Sequence, residues 1–182
     1  MRVKIKGINL KRLLCLILYY TIAIHLPKSQ YCFHIGMLVR RFLCKRIFSK
    51  AGTNINVERG ARFGTGKMIE IGDYSGIGIN ANIPNDTIIG AYVMMGPNCH
   101  IVHHNHRFDK LSKPMMFQGR GEIKRTIIGN DVWIGRDVLI MPGKVIADHS
   151  IIAAGCVLTK DFPQWSIVGG NPSKLIKSRK DV

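Results

Sequence analysis

Two stretches decide the fold: IGDYSGIGINANI, residues 71–83, and IGNDVWIGRDVLI, residues 128–140. Stepping by six from Ile71 meets Ile77, Ile83, Ile89, Met95 and Ile101. Stepping by six from Ile128 meets Ile134, Ile140, Ile146, Ile152 and Leu158. No polar residue interrupts either column. Four residues after these positions runs a second, mostly small column: Ser75, Ala81, Thr87, Val93 and Cys99, then Val132, Val138, Lys144, Ser150 and Cys156. Lys144 alone breaks it. A glycine often follows the first column, at Gly72, Gly78, Gly90, Gly96, Gly129 and Gly135, where it is expected to relieve a turn. A period of six is neither a helix period nor a strand alternation. It requires a short strand, a turn and another short strand, wound around an axis with the aliphatic column inside. One rung cannot bury itself, so stacked neighbours must form the core.

The register then breaks. Ile101 and Ile128 lie 27 positions apart, which is not a multiple of six. The interval HHNHRFDKLSKPMMFQGRGEIKR, residues 103–125, is too long and polar for a coil edge. It predicts a loop ejected from a rigid scaffold at about residues 102–126, and such loops commonly carry function. Four histidines, His100, His103, His104 and His106, fall in the last hexad and the mouth of that loop.

The 182 residues suffice for one domain with a real core. The formal charge of +16 is uneven: residues 1–50 hold eleven Lys or Arg and no acid, and the first acid is Glu58. That balance suits an anionic partner such as a membrane surface or phosphorylated carrier, or simply a solvated tail. No nucleic-acid recognition motif accompanies it. Before the repeat, INLKRLLCLILYYTIAI (residues 8–24) and HIGMLVRRFLCKRIFSKAG (residues 34–52) read as two helices broken at HLPKSQ, with Gly52 as the stop. Met37, Leu38, Phe42, Leu43 and Ile47 fall at helical spacing among basic residues. A membrane-surface helix and a cap on the open end of the solenoid both fit this pattern, and the two are compatible. The apolar run Leu13–Ile24 is twelve residues, short of the roughly twenty that span a bilayer. With its basic start it resembles a signal peptide, but no small-x-small cleavage site follows. Five widely spaced cysteines without C-x-x-C argue against a disulfide framework and fit a reducing compartment.

The two quoted hexad blocks resemble the hexapeptide-repeat acyltransferases over roughly residues 50–180. That resemblance implies a mainly β fold: a left-handed parallel β-helix with amino-terminal helices, the ejected loop and a short carboxyl-terminal helix. It divides the chain into a basic helical segment, residues 1–50, and a β-helix acyltransferase domain, residues 51–182. It implies a homotrimer with active sites between subunits and acetyl-CoA as cosubstrate. The loop mouth GPNCHIVHHNHRFD aligns with the pattern of the sugar acetyltransferases, which places His106 as the general base. Imidazole, with a pKa near ~6.5, suits removal of a hydroxyl proton. Asp109, Glu122 or a backbone carbonyl is the expected orienting partner, and Gln118 matches a loop residue of capsule-type relatives. The cofactor groove carries over to Trp133, Arg136, Ala154, Thr159 and Lys160, with Lys174 and Lys177 at the nucleotide phosphates. Trp133 is equally readable as a corner aromatic. Lys174 stands where some relatives have Arg, and Arg136 where others have Ser. Asn82, Asn85, Asp86 and His104 are the acceptor-side candidates, although Asn and Asp also serve turns.

The resulting expectation is acetyl transfer from acetyl-CoA to a saccharide hydroxyl in surface polysaccharide assembly. The acceptor would be lipid-linked and the protein cytoplasmic, touching the inner membrane face through its basic segment. An antibiotic hydroxyl is the alternative acceptor. A γ-class carbonic anhydrase would use three histidines on zinc on this scaffold, but draws them from separate rungs; no metal is expected here. Cys99 and Cys156 occupy the inner column and read as packed, not nucleophilic.

Overall fold

The computed structural model describes residues 9–181. The basic start of the chain, residues 1–8, lies outside the described residues. The repeat folds as a three-faced parallel β-helix. Face one stacks Lys50–Ala51, Glu70–Ile71, Ile88–Ile89, Ile127–Ile128 and Val145–Ile146, with a bridge from Ile146 to Phe162. Face two carries Asn56–Val57 on Gly76–Ile77, then Met94–Met95, Trp133–Ile134, Ile151–Ile152 and Ser166–Gly169. Face three runs from Arg62 through Asn82 to His100–Ile101, Leu139–Ile140 and Val157–Leu158.

The columns read from the sequence are the core. Ile71, Ile77, Ile89, Ile128, Ile134, Ile140 and Leu158 are buried, as are Ala81, Val93, Cys99, Val132, Val138 and Cys156. Burying an Ile this fully contributes about 1.5–3 kcal/mol each. All five cysteines are unpaired, and Cys99 and Cys156 are buried.

The inner columns continue one coil before Ile71, with Ala51, Val57 and Phe63 six apart; this coil is out of phase with the Ile71 column because Ala51 pairs with Ile71, 20 positions on, through a corner longer by two than the 18 of a regular coil. One detail corrects the sequence reading: the glycines after the first column are not turn residues. The left-handed corner positions belong to Asn54, Tyr74, Asn80, Tyr92, Asn98, Asp131, Asp137, His149 and Trp165. Gly72 is required because a Cβ there would lie 2.6 Å from the backbone N of Ala91 in the next coil. Gly96 meets Arg136 N in the same way, at 2.7 Å.

The amino-terminal helices α1 (Leu10–Thr21) and α2 (Ile35–Ile47) close the open end. α1 starts at Asn9, whose Oδ1 accepts from Lys11 N. Tyr19 packs on Phe63 with centroids 4.6 Å apart, and Phe48 meets the same ring at 4.9 Å. α2 ends at Ile47, before Gly52, and the chain is already in a strand at Lys50. The first coil has carbonyls with no coil beneath them, and polar side chains fill that gap. Tyr19 Oη donates to Ala61 O, Arg41 Nε to Ile55 O, and Arg12 to Ile47 O and Thr65 O. The fully buried Arg40 donates to Val57 O, Leu26 O and Pro27 O, and stands 3.7 Å from Glu58. Burial alone would raise the Glu58 pKa, but hydrogen bonds from Ser29 and Asn56 and the Arg40 charge hold it low. Capping is therefore a role of the basic segment, and three of its arginines are spent on it.

At the other end the expected short helix reduces to the 3-10 turn Arg179–Asp181. Before it, Lys174–Ser178 reverses and pairs antiparallel with Ser166–Gly169, adding an edge strand to face two.

Arg40 gives a direct test of the cap. Arg40→Ala would strand Glu58 and three backbone carbonyls, and should lower unfolding stability by about 3–5 kcal/mol in chemical denaturation. A loss within about 0.5 kcal/mol, the usual surface value, would show that the cap does not rest on this side chain.

Candidate active site

The loop leaves and rejoins the prism without disturbing its register. Ile88 pairs with Ile127, 39 positions on, where a plain coil takes 18; the difference of 21 is the loop. Its stem closes as an antiparallel ribbon: Gly121 N donates to Asn105 O at 2.8 Å, Arg107 N to Gly119 O at 3.0 Å, and His106 bridges Arg120. Arg125 holds the return strand, Nε to Asp86 O and Nη2 to Met68 O.

Gln118, a position with no derivable role in the sequence, closes the loop tip. Its Nε2 donates to Lys110 O at 2.8 Å and Lys113 O at 2.6 Å, and its Oε1 accepts from Lys110 N at 3.0 Å.

The four histidines divide. His100 lies on face three, where its Nδ1 is 3.5 Å from Asn82 Nδ2. The other three form a short chain of rings: His103 and His104 centroids are 5.6 Å apart, His104 and His106 6.5 Å. His106 is exposed on the ribbon and borders an open cleft of ≈ 370 Å³ with Asn105, Phe108, Asp109, Glu122 and Lys124. Neither carboxylate expected to orient it is free within the protomer. Asp109 takes two hydrogen bonds from Arg107, which hold it below the usual carboxylate range, and Glu122 stands 3.3 Å from Lys124.

The imidazole–carboxylate pair lies elsewhere. His103 Nε2 stands 3.4 Å from Oδ1 of the buried Asp86, and neither atom has a hydrogen-bond partner among the described residues. The sequence placed Asp86 among acceptor residues and missed this pair, because Asp86 sits a full coil before His103. Partial burial first, then the charge of Arg120 and the neighbouring His103 and His106, hold His104 below the ordinary imidazole value. Asn82 is exposed on face three, and the Asn85 amide turns to Thr65 Oγ1. His104 thus lies between His106 and the His103 that Asp86 faces, while Asn82 neighbours His100 and Asn85 neighbours Thr65. Among the described residues no three His, Cys, Asp or Glu side chains converge as metal ligands.

The residues expected on the cofactor side fall in three places on the chain. Trp133, half-exposed, lies on face two with Lys174 and Lys177 at the covering edge strand. Arg136 and Ala154 neighbour each other at the corner between faces two and three, where Arg136 Nε donates to Asp137. Thr159 and Lys160 occupy the next corner, with Thr159 N held by Ser173 Oγ at 3.0 Å.

A histidine-bearing loop on a stacked-hexad prism defines a class of group-transfer proteins, and comparison identifies it. The family described as Bacterial transferase hexapeptide (six repeats) matches residues 125–160. Over 150 residues the chain is 35% identical to the galactoside O-acetyltransferase of Escherichia coli (strain K12), covering 78% of this chain and 70% of that protein. A solved galactoside acetyltransferase in complex with coenzyme A superposes with a TM-score of 0.77 at 30% identity, covering 98% of this chain and 85% of that one. The chloramphenicol acetyltransferase of Klebsiella aerogenes is 35% identical over 107 residues, 50% of this chain and 51% of that protein. The chain belongs to the hexapeptide-repeat O-acetyltransferases and is an acyltransferase.

Two measurements check the site's construction. Removing the Arg120 charge in Arg120→Gln favours the imidazolium, so the His104 titration midpoint should rise toward the ordinary ~6.5 in ring-proton NMR; no movement would place Arg120 outside its field. Gln118→Ala should speed tryptic cleavage after Lys110 and leave thermal unfolding of the prism nearly unchanged. Unaltered cleavage would mean the tip is held by other contacts.

Proposed function

We propose that this acyltransferase moves the acetyl group of acetyl-CoA to a saccharide hydroxyl, with His106 as general base. The observation that carries the reading is the placement of His106. It is exposed beside a cleft, on a loop whose backbone is pinned by its own ribbon and by Gln118. The imidazole accepts the hydroxyl proton as the sugar oxygen attacks the thioester carbonyl. The tetrahedral adduct collapses, the C–S bond breaks, and the CoA sulfur leaves with the proton returned from the imidazolium. No covalent enzyme intermediate is needed: Cys99 and Cys156 are buried, and burial pushes both thiols up, Cys99 to about 11. His103 and Asp86 anchor the loop mouth, and His104 lines the acceptor side with Asn82 and Asn85.

Trp133, Arg136, Ala154, Thr159 and Lys160 contact the pantetheine arm, and Lys174 and Lys177 meet the nucleotide phosphates. Their spread over three surfaces of one protomer suits a groove shared by neighbouring subunits of a homotrimer. The acceptor is a lipid-linked saccharide of surface polysaccharide assembly, modified at the cytoplasmic membrane face. Partial similarity to a chloramphenicol acetyltransferase supports an antibiotic hydroxyl as the second reading.

His106→Ala should reduce kcat by about 10²–10⁴-fold, the usual worth of a general base, with CoA affinity by calorimetry and oligomeric state unchanged. Wild-type turnover in the folded variant would end the assignment. Free sugars, lipid-linked sugars and chloramphenicol assayed side by side separate the two acceptors.

A further inference from the structure

The capping helices present an unpartnered surface that capping does not explain. In α1, Cys15 and Tyr19 face the first coil and are buried, as is Ala23 just past the helix. The opposite side carries Leu10 at 70% exposure, Leu14 at 52%, Ile17 at 49% and Leu18 at 45%, followed by Ile22 at 55%. In α2, Leu43, Cys44, Ile47 and Arg40 face the coil, while Ile35, Leu38 and Phe42 are exposed on the far side. The apolar spacing read from the sequence of α2 is therefore two faces, not one. The connection between the helices adds to the same region. Cys32, Phe33 and His34 all take left-handed backbone conformations, disfavoured for such residues, and Phe33 is left 94% exposed.

The charge around these stripes has one sign. Between Asn9 and Val57 there is no acid, and Lys11, Lys45 and Arg46 are exposed. Lys45 and Arg46 flank the α2 stripe, and the Arg46 guanidinium lies 3.6 Å over the Phe42 ring. No described helix is long and apolar enough to cross a membrane.

We propose that this helical pair is a membrane-docking surface. The apolar stripes of α1 and α2 enter the headgroup–acyl boundary of an anionic bilayer, and the flanking lysine and arginine side chains meet its phosphates. An amphipathic helix lying in the interface combines these two contributions. A second copy of the chain is a poor occupant, because it would set two basic faces together in a chain of net charge +16. The inference deepens the proposed function by giving the enzyme its orientation. If the proposed trimer forms, its three caps share one end by symmetry, and all three dock in one plane.

Flotation of the full-length protein with phosphatidylcholine vesicles, with and without phosphatidylglycerol, tests this. The wild type should float with anionic vesicles, less at high salt, and little with neutral ones. The variant Leu14→Ser/Ile17→Ser/Phe42→Ser should bind at least about tenfold more weakly, with acetyl transfer to a soluble saccharide unchanged. Lys45→Glu/Arg46→Glu is the second variant, expected to weaken binding while every apolar side chain of the stripes is kept. The proposal is overturned if the wild type stays unbound, if both folded variants float like the wild type, or if light scattering shows the stripes joining copies into larger assemblies. Lost flotation with intact transfer to the soluble acceptor would sink this inference alone. Lost transfer by the wild type would sink the functional reading instead.

Discussion

Everything in this molecule depends on the ladder of backbone hydrogen bonds that runs from coil to coil. Each two-residue strand is too short to persist alone, and each coil's groups are satisfied only by the coil above and below. The ladder demands a close, even approach, which selects the glycines after the inner column. It also leaves two ends with nothing to bond. The chain solves them differently. At the amino-terminal end, Tyr19, Arg12, Arg40 and Arg41 reach down to carbonyls of the first coil and its approach. At the other, a strand reverses and pairs antiparallel, which a parallel ladder accepts at its last edge.

The same ladder makes the ejected loop chemically usable. Long loops normally lose positional precision. Here the strands before and after the insertion remain in register, so the two ends of the loop leave from fixed points. The ribbon between Asn105 and Gly121, the clamp by Gln118 and the Arg125 contacts carry that rigidity outward toward His106. A catalytic imidazole needs placement to a fraction of an ångström more than it needs a strongly shifted pKa.

The parts legible in the sequence are those with a period. The Ile71 and Ile128 columns revealed the coils and their core, and the 27-residue gap revealed the loop. The missed parts have partners without a sequence signature. Arg40 and Arg41 bond backbone carbonyls 13–17 residues away, and a carbonyl is the same at every residue. Gln118 likewise binds main chain. Val57 and Phe63 belong to the hexad pattern, but two inserted residues before Ile71 moved them out of phase. The Asp86–His103 pair crosses one coil, and only knowledge of which corner each occupies joins them.

A filled prism of this kind is convex. Its interior is occupied by aliphatic side chains, and its faces are nearly flat, so it has no crevice of the sort that open α/β sheets offer at their strand ends. Any ligand site must be made by something added to the faces: an ejected loop, a covering hairpin or another prism. This chain itself adds the first two, in the places where polar side chains gather. His103, His104 and His106 lie on the loop, Lys174 and Lys177 on the hairpin, and Trp133 half-exposed on face two. If neighbouring subunits share the groove as proposed, assembly and catalysis are bound to the same geometry. A change that loosens one should be felt in the other.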